Sequence, residues 1–155
     1  MSRAVDIEGE VVRGIDRFLH NVERGRFERA MSGLTAGAAL VTGAEIFLEH
    51  DRASFGNRMM WLPVVITPFV SAAGIAGVAN KRAAKTVLPA LSALALFNGV
   101  QGCYLHARGI GQRPGGWRFA RYNTEMGPPL FAPMLFALVG GMGLLAAVLR
   151  RGGSR

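Results

Sequence analysis

Residues capable of chemistry are concentrated in one part of the 155-residue chain. The stretch "AEIFLEHDR", Ala44 to Arg52, closes a long apolar run and brings Glu45, Glu49, His50 and Asp51 close together in sequence. Another apolar run ends at His106. Glu45, Glu49 and His106 make a two-carboxylate, one-imidazole set suited to iron, manganese or zinc. His50 and His106 offer two axial ligands to a b-type haem, but His50 abuts Asp51 and Arg52, which makes it shallow for that group. Glu45 alone, about one turn inside its run, has the character of a proton-coupling carboxylate. The same residues also serve a polar helix end that binds nothing, bonding to loops and pairing with Arg52, Arg58, Arg108 and Arg121. Glu-x-x-His pairs on two helices, which a ferritin-like di-iron site wants, do not occur. Cys103 is the only cysteine, which excludes an internal disulfide and dithiol chemistry.

The elements that must position these groups are apolar and long. Met59–Asn80 and Met126–Leu149 carry no charged residue, and Thr86–Ala107 carries none apart from His106. Ala30–Leu48 is interrupted only by Glu45. About 20 apolar residues in helix cross a bilayer core of roughly 30 Å. Four such runs leave too little polar chain to cover them in water. Their continuity favours helices over an alternating barrel, because a helix satisfies its own backbone in lipid. The reading is an all-α integral membrane protein, a four-transmembrane-helix bundle preceded by an amphipathic N-terminal helix. Residues 1–29 form that cytoplasmic or interfacial helix, and 30–155 the membrane domain. Its spans cover about 30–49, 59–80, 86–107 and 127–149, with an external loop over 108–126. The charged first thirty residues have no apolar signal segment, so the first span is expected to direct insertion.

Basic residues set the orientation. Twelve Arg and Lys fall on the side of the N-terminal segment, the 81–85 loop and the C-terminal tail, against six on the other. That bias places both termini in the cytoplasm of a bacterial inner membrane, as a multi-pass protein. The net charge of +8 is then explained by basic flanks beside anionic lipid. Nucleic acid is not an expected partner, since the basic residues are divided between two membrane faces. In the N-terminal segment Ile7, Val11, Ile15, Phe18 and Val22 recur at helical spacing with charges around them, as in a helix lying in the headgroup region.

Small residues four apart recur in each span: Gly33 and Gly37, Ala73 and Gly77, Ala95 and Gly99, Ala137 and Gly141. Such pairs let helix backbones approach closely in lipid and favour a compact bundle. Pro128 and Pro129 suit the first turn of the fourth span. On the third span Asn98, Gly102 and His106 fall on one face, with Gln101 beside them. If the first and third spans pack together, Glu45, Glu49, Asn98, Gln101, Tyr104 and His106 line a pocket. The external loop alternates Trp117, Phe119 and Tyr122 with Arg118 and Arg121, after Arg113. It reads as an aromatic belt at the headgroups or as a docking surface for a partner.

The leading function on this reading is a small non-catalytic accessory or anchor subunit of an inner-membrane complex, docked through the loop 108–126. The alternative is a redox protein binding iron, zinc or b-type haem through Glu45, Glu49, His50 and His106. A small proton-coupled transporter comes third. Expected partners are membrane lipids and other membrane subunits or further copies of the chain.

Overall fold

The structure, a computed structural model, describes residues 2–23 and 25–148, with side chains for 9–21 and 25–148. It is helical throughout, with no strand among the described residues. The helices are α1 (Ser2–Glu23), α2 (Arg26–Arg52), α3 (Trp61–Ala79), α4 (Lys81–Lys85), α5 (Val87–Gly111), α6 (Ala120–Glu125) and α7 (Ala132–Val148). Single 3-10 turns at Arg58–Met60 and Gly116–Phe119 precede α3 and α6.

Gly25 separates α1 from α2 with φ 68, a left-handed conformation that glycine adopts without a Cβ penalty. The break therefore falls earlier than residue 29, and α2 includes a charged first turn that hydropathy alone assigns to the preceding segment. On α1, Val11, Val12, Ile15, Phe18 and Leu19 are exposed. The ring of Phe18 meets Phe27 of α2 edge to face at 5.3 Å.

Four long helices pack around one interior. α2 lies against α3 and α7, and α5 against the same two, so α2 and α5 stand on a diagonal. Successive long helices alternate in direction. One end of the bundle joins the start of α2, α4 and the end of α7, where Lys85 Nζ donates to the Ala147 carbonyl at 2.6 Å. The other end joins the close of α2, the start of α3, the close of α5 and the approach to α7.

The interior mixes apolar and hydroxyl side chains. Ala39, Val70, Leu88, Ala95, Phe136 and Ala146 are buried, and so are Ser32, Thr35, Thr67, Ser71 and Ser92. Ser32 donates to the Glu28 carbonyl (2.9 Å), Thr35 to Met31 (2.8 Å) and Thr67 to Val64 (3.1 Å). These three hydroxyls are thus satisfied within their own helices and need no partner across the interface, whereas Ser92 Oγ is buried without a hydrogen bond among the described residues. Small residues hold the helices close. A Cβ on Gly74 would lie 2.7 Å from the Ser32 carbonyl oxygen, and one on Gly99 would strike the backbone of Ala137. The expectation of small pairs holds for Ala73–Gly77 and Ala95–Gly99, but not for Gly33–Gly37. Around Gly37, and around Gly141, the space is open.

Three stretches are long and apolar enough to cross a membrane: Arg26–Arg52, Arg58–Ala79 and Lys81–Gly111. Leu34, Val41, Phe69, Ile75, Phe97 and Val100 are exposed on their outer faces, a surface suited to lipid. α7 is shorter. Its 17 residues extend about 25 Å at 1.5 Å per residue. The fourth helix therefore begins at Ala132, not near 127, and Pro128 and Pro129 precede it while Pro133 sits in its first turn. Residues 127–131 are occupied otherwise: the Pro129 carbonyl accepts a bond from α5, and Pro128 packs on Gly109.

Candidate functional site

The bundle end where α2 and α5 finish frames a half-open cavity of about 770 Å³, within the range of small-molecule and cofactor sites. α2 contributes Ile46, Glu49 and His50 on one helical face. α5 contributes Asn98, Gln101, Gly102, Leu105 and His106 at spacings of three, one, three and one. Pro128, Pro129, Pro133 and Phe136 close the side toward α7, and Met59, Met60 and Pro63 the side toward α3. Arg52 and Arg108 also line it. The diagonal placement of α2 and α5 lets both helices face this space without touching along their length.

Both histidines are fixed by backbone. His50 Nδ1 donates to the Met60 carbonyl and His106 Nδ1 to the Pro129 carbonyl, each at 2.8 Å. A carbonyl oxygen only accepts, so Nδ1 carries the proton in each ring and Nε2 of the neutral imidazole keeps its lone pair. Both residues line the cavity. His50 is further held by Phe55, whose ring meets it edge-on at 6.1 Å and stacks on Trp61 at 4.0 Å. Ser54 and Phe55 take φ 54 and φ 45 to put that ring there. A positive φ is uncommon outside glycine and costs of order 1–3 kcal/mol. The turn that carries Phe55 beside His50 is strained.

The carboxylates divide. Glu49 lines the cavity and bonds to the Arg52 guanidinium. Glu45 is exposed on the outer side of α2 and has no hydrogen bond or ion pair among the described residues. Residue 45 sits about 100° around the helix from Ile46, which faces the cavity, so Glu45 turns away from that space. Tyr104 likewise points away and is exposed. Of the six residues expected in the pocket, Glu49, Asn98, Gln101 and His106 line it, and Glu45 and Tyr104 do not. Among the described residues no three His, Cys, Asp or Glu side chains come together to hold a metal ion.

The loop over 108–126 is folded rather than slack. α5 runs on to Gly111, and the chain then turns through Gly115 (φ 77) and Gly116 (φ 51). The buried Asn123 amide donates to the Pro114 (3.1 Å) and Gly116 (2.8 Å) carbonyls, pinning α6 against the turn. Trp117, Phe119 and Tyr122 are 52%, 64% and 61% exposed on this support. Arg118 and Arg121 are exposed among them, and Arg113 is half-buried. Arg121 pairs with Glu125 at 3.2 Å.

Sequence reasoning missed a third feature at the opposite end. Glu28 is completely buried, and its Oε1 lies 4.0 Å from Lys85 Nζ. Its signal was a carboxylate with the apolar run following at once, which the boundary at residue 29 assigned to the surface helix. The chain matches no protein-family model, no curated protein and no solved structure at a significant level.

Proposed function

We propose that this chain is a small non-catalytic accessory or anchor subunit of a bacterial inner-membrane complex, gripping its partner through the external loop. The observation that carries the reading is the support given to the loop aromatics. Two glycines in left-handed conformations and a buried asparagine hold Trp117, Phe119 and Tyr122 outward with Arg118 and Arg121 between them. Exposed aromatic and Arg side chains on a prebuilt surface are the usual anchors of an interface, and prior ordering lowers the entropy cost of binding. A connector between two helices needs neither.

In this reading α7 is the fourth span. It carries no charge and packs along α5 and α2, and residues 127–131 add apolar length ahead of it. An even number of spans puts both termini on one side, and the Arg and Lys bias makes that side the cytoplasm. The exposed apolar face of α1 then lies on the cytoplasmic lipid surface.

The test is purification in mild detergent from the native host, with quantified subunit stoichiometry, beside a Trp117→Ala/Arg118→Ala chain. The expected result is a stoichiometric membrane partner with the wild-type chain and its loss with the double variant. A wild-type chain that purifies alone, or a partner retained equally by the variant, overturns the proposal.

A further inference from the structure

The cavity between α2 and α5 has a chemistry the loop does not explain. Its two histidines are oriented as imidazole ligands usually are: the ring nitrogen that does not ligate donates to a backbone carbonyl, which fixes the tautomer and raises the basicity of the other. Two such nitrogens are too few for a bare ion. Zinc in a protein site wants at least three protein ligands, and no third donor converges here among the described residues. Glu49, the nearest candidate, is engaged by Arg52.

A group that brings its own equatorial donors needs only two from the protein, one above and one below. It also needs apolar walls, which Ile46, Leu105 and Phe136 provide, and a cation near the rim for peripheral carboxylates, which Arg108 provides. The cavity volume is that of a cofactor site rather than an ion site. We propose that this cavity binds one b-type haem, with His50 and His106 as its axial ligands through Nε2. Glu45, on the outer face of α2, takes no part.

The experiment is titration of haemin into the full chain in detergent, followed by absorption and electron paramagnetic resonance spectroscopy. The expected result is saturation at one haem per chain with the low-spin signature of two nitrogen ligands. His50→Ala and His106→Ala each lose the low-spin form, and added imidazole restores it to a His106→Gly chain. His20→Ala, which removes the remaining histidine, leaves spectrum and stoichiometry unchanged. Arg108→Gln weakens binding several-fold and keeps the low-spin spectrum. The wild-type spectrum decides even if the histidine variants fail to fold. No saturable binding, a high-spin wild-type complex, or a nitrogen–sulfur signature overturns the proposal. So does a low-spin form that survives in folded histidine variants.

Discussion

Lys85 Nζ stands 4.0 Å from Oε1 of Glu28 and donates at the same time to the Ala147 carbonyl, so one ammonium ties α4 to the start of α2 and the end of α7. Glu28 has no solvent exposure, and Lys85 is about one-third exposed. A buried ion pair need not exceed an apolar pair in stability, but removing one partner strands the other in low dielectric. Glu28→Ala or Lys85→Ala is therefore expected to destabilise the bundle by about 3 kcal/mol, the lower end of the range for broken buried pairs. The double change Glu28→Gln/Lys85→Met should recover much of that loss. Unfolding in mixed detergent micelles measures all three. If Glu28→Ala leaves the midpoint where it is, the pair is not holding this end of the bundle.

Close helix approach makes a contrast within one residue type. A Cβ on Gly99 would enter the backbone of Ala137, and one on Gly140 would meet Leu96 and the Ser92 carbonyl. Gly37 faces open space. Gly99→Val and Gly140→Val should each cost about 1–3 kcal/mol or more by forcing α5 and α7 apart. Gly37→Val should be nearly silent in the monomer. Paired unfolding curves for the three variants check this, and equal effects at Gly37 and Gly99 would remove the distinction.

These glycines also show how far the fold was legible. Long charge-free runs identify the long apolar helices, and the small-residue rule finds Ala95–Gly99 because a close approach leaves a compositional trace. The rule is blind to direction. Gly33–Gly37 satisfies it equally, yet Gly37 lies on the outside, because spacing says which residues share a face and not which face turns inward. The candidate site was readable for the same reason and to the same extent. His50, His106, Asn98 and Gln101 meet because alternation brings the ends of α2 and α5 to one level. Glu45 fell out because a rotation of about 100° separates it from Ile46. Glu28 was missed because a helix keeps its register through a charged turn, whereas a hydropathy boundary stops at the charge.

The outward position of Glu45 carries its own expectation. A carboxylate on a lipid-facing helix side is unfavourable by about 2.5–3.5 kcal/mol at the bilayer centre and by less toward the helix end. Glu45→Leu should therefore leave the unfolding midpoint unchanged or raise it, and Glu45→Gln should not alter any ligand held in the cavity. A marked loss of stability in Glu45→Leu would mean that the carboxylate has a partner outside the monomer. Thermal unfolding in lipid nanodiscs, against the same variant in detergent, distinguishes the two.

Asn123 is the residue through which the loop is most open to test. Its amide donates to two carbonyls across the turn and is nearly inaccessible, while every aromatic residue it supports is exposed. Replacing it with Leu keeps its approximate size and leaves the Pro114 and Gly116 carbonyls without their donor, at a cost of about 1–3 kcal/mol. That cost falls on the loop, since Asn123 lies outside the long helices that form the interior. Amide exchange over 112–126 should accelerate by roughly fivefold to 150-fold, the range implied by that energy, while α2, α3, α5 and α7 keep their protection. If the loop works by presenting a fixed surface, Asn123→Leu should weaken partner association although it removes no exposed aromatic or Arg side chain. If Trp117 and Tyr122 only rest among lipid headgroups, the exchange pattern changes and association does not. The two readings of the loop thus separate on one variant, because only a docking surface depends on the order of residues that its partner does not touch.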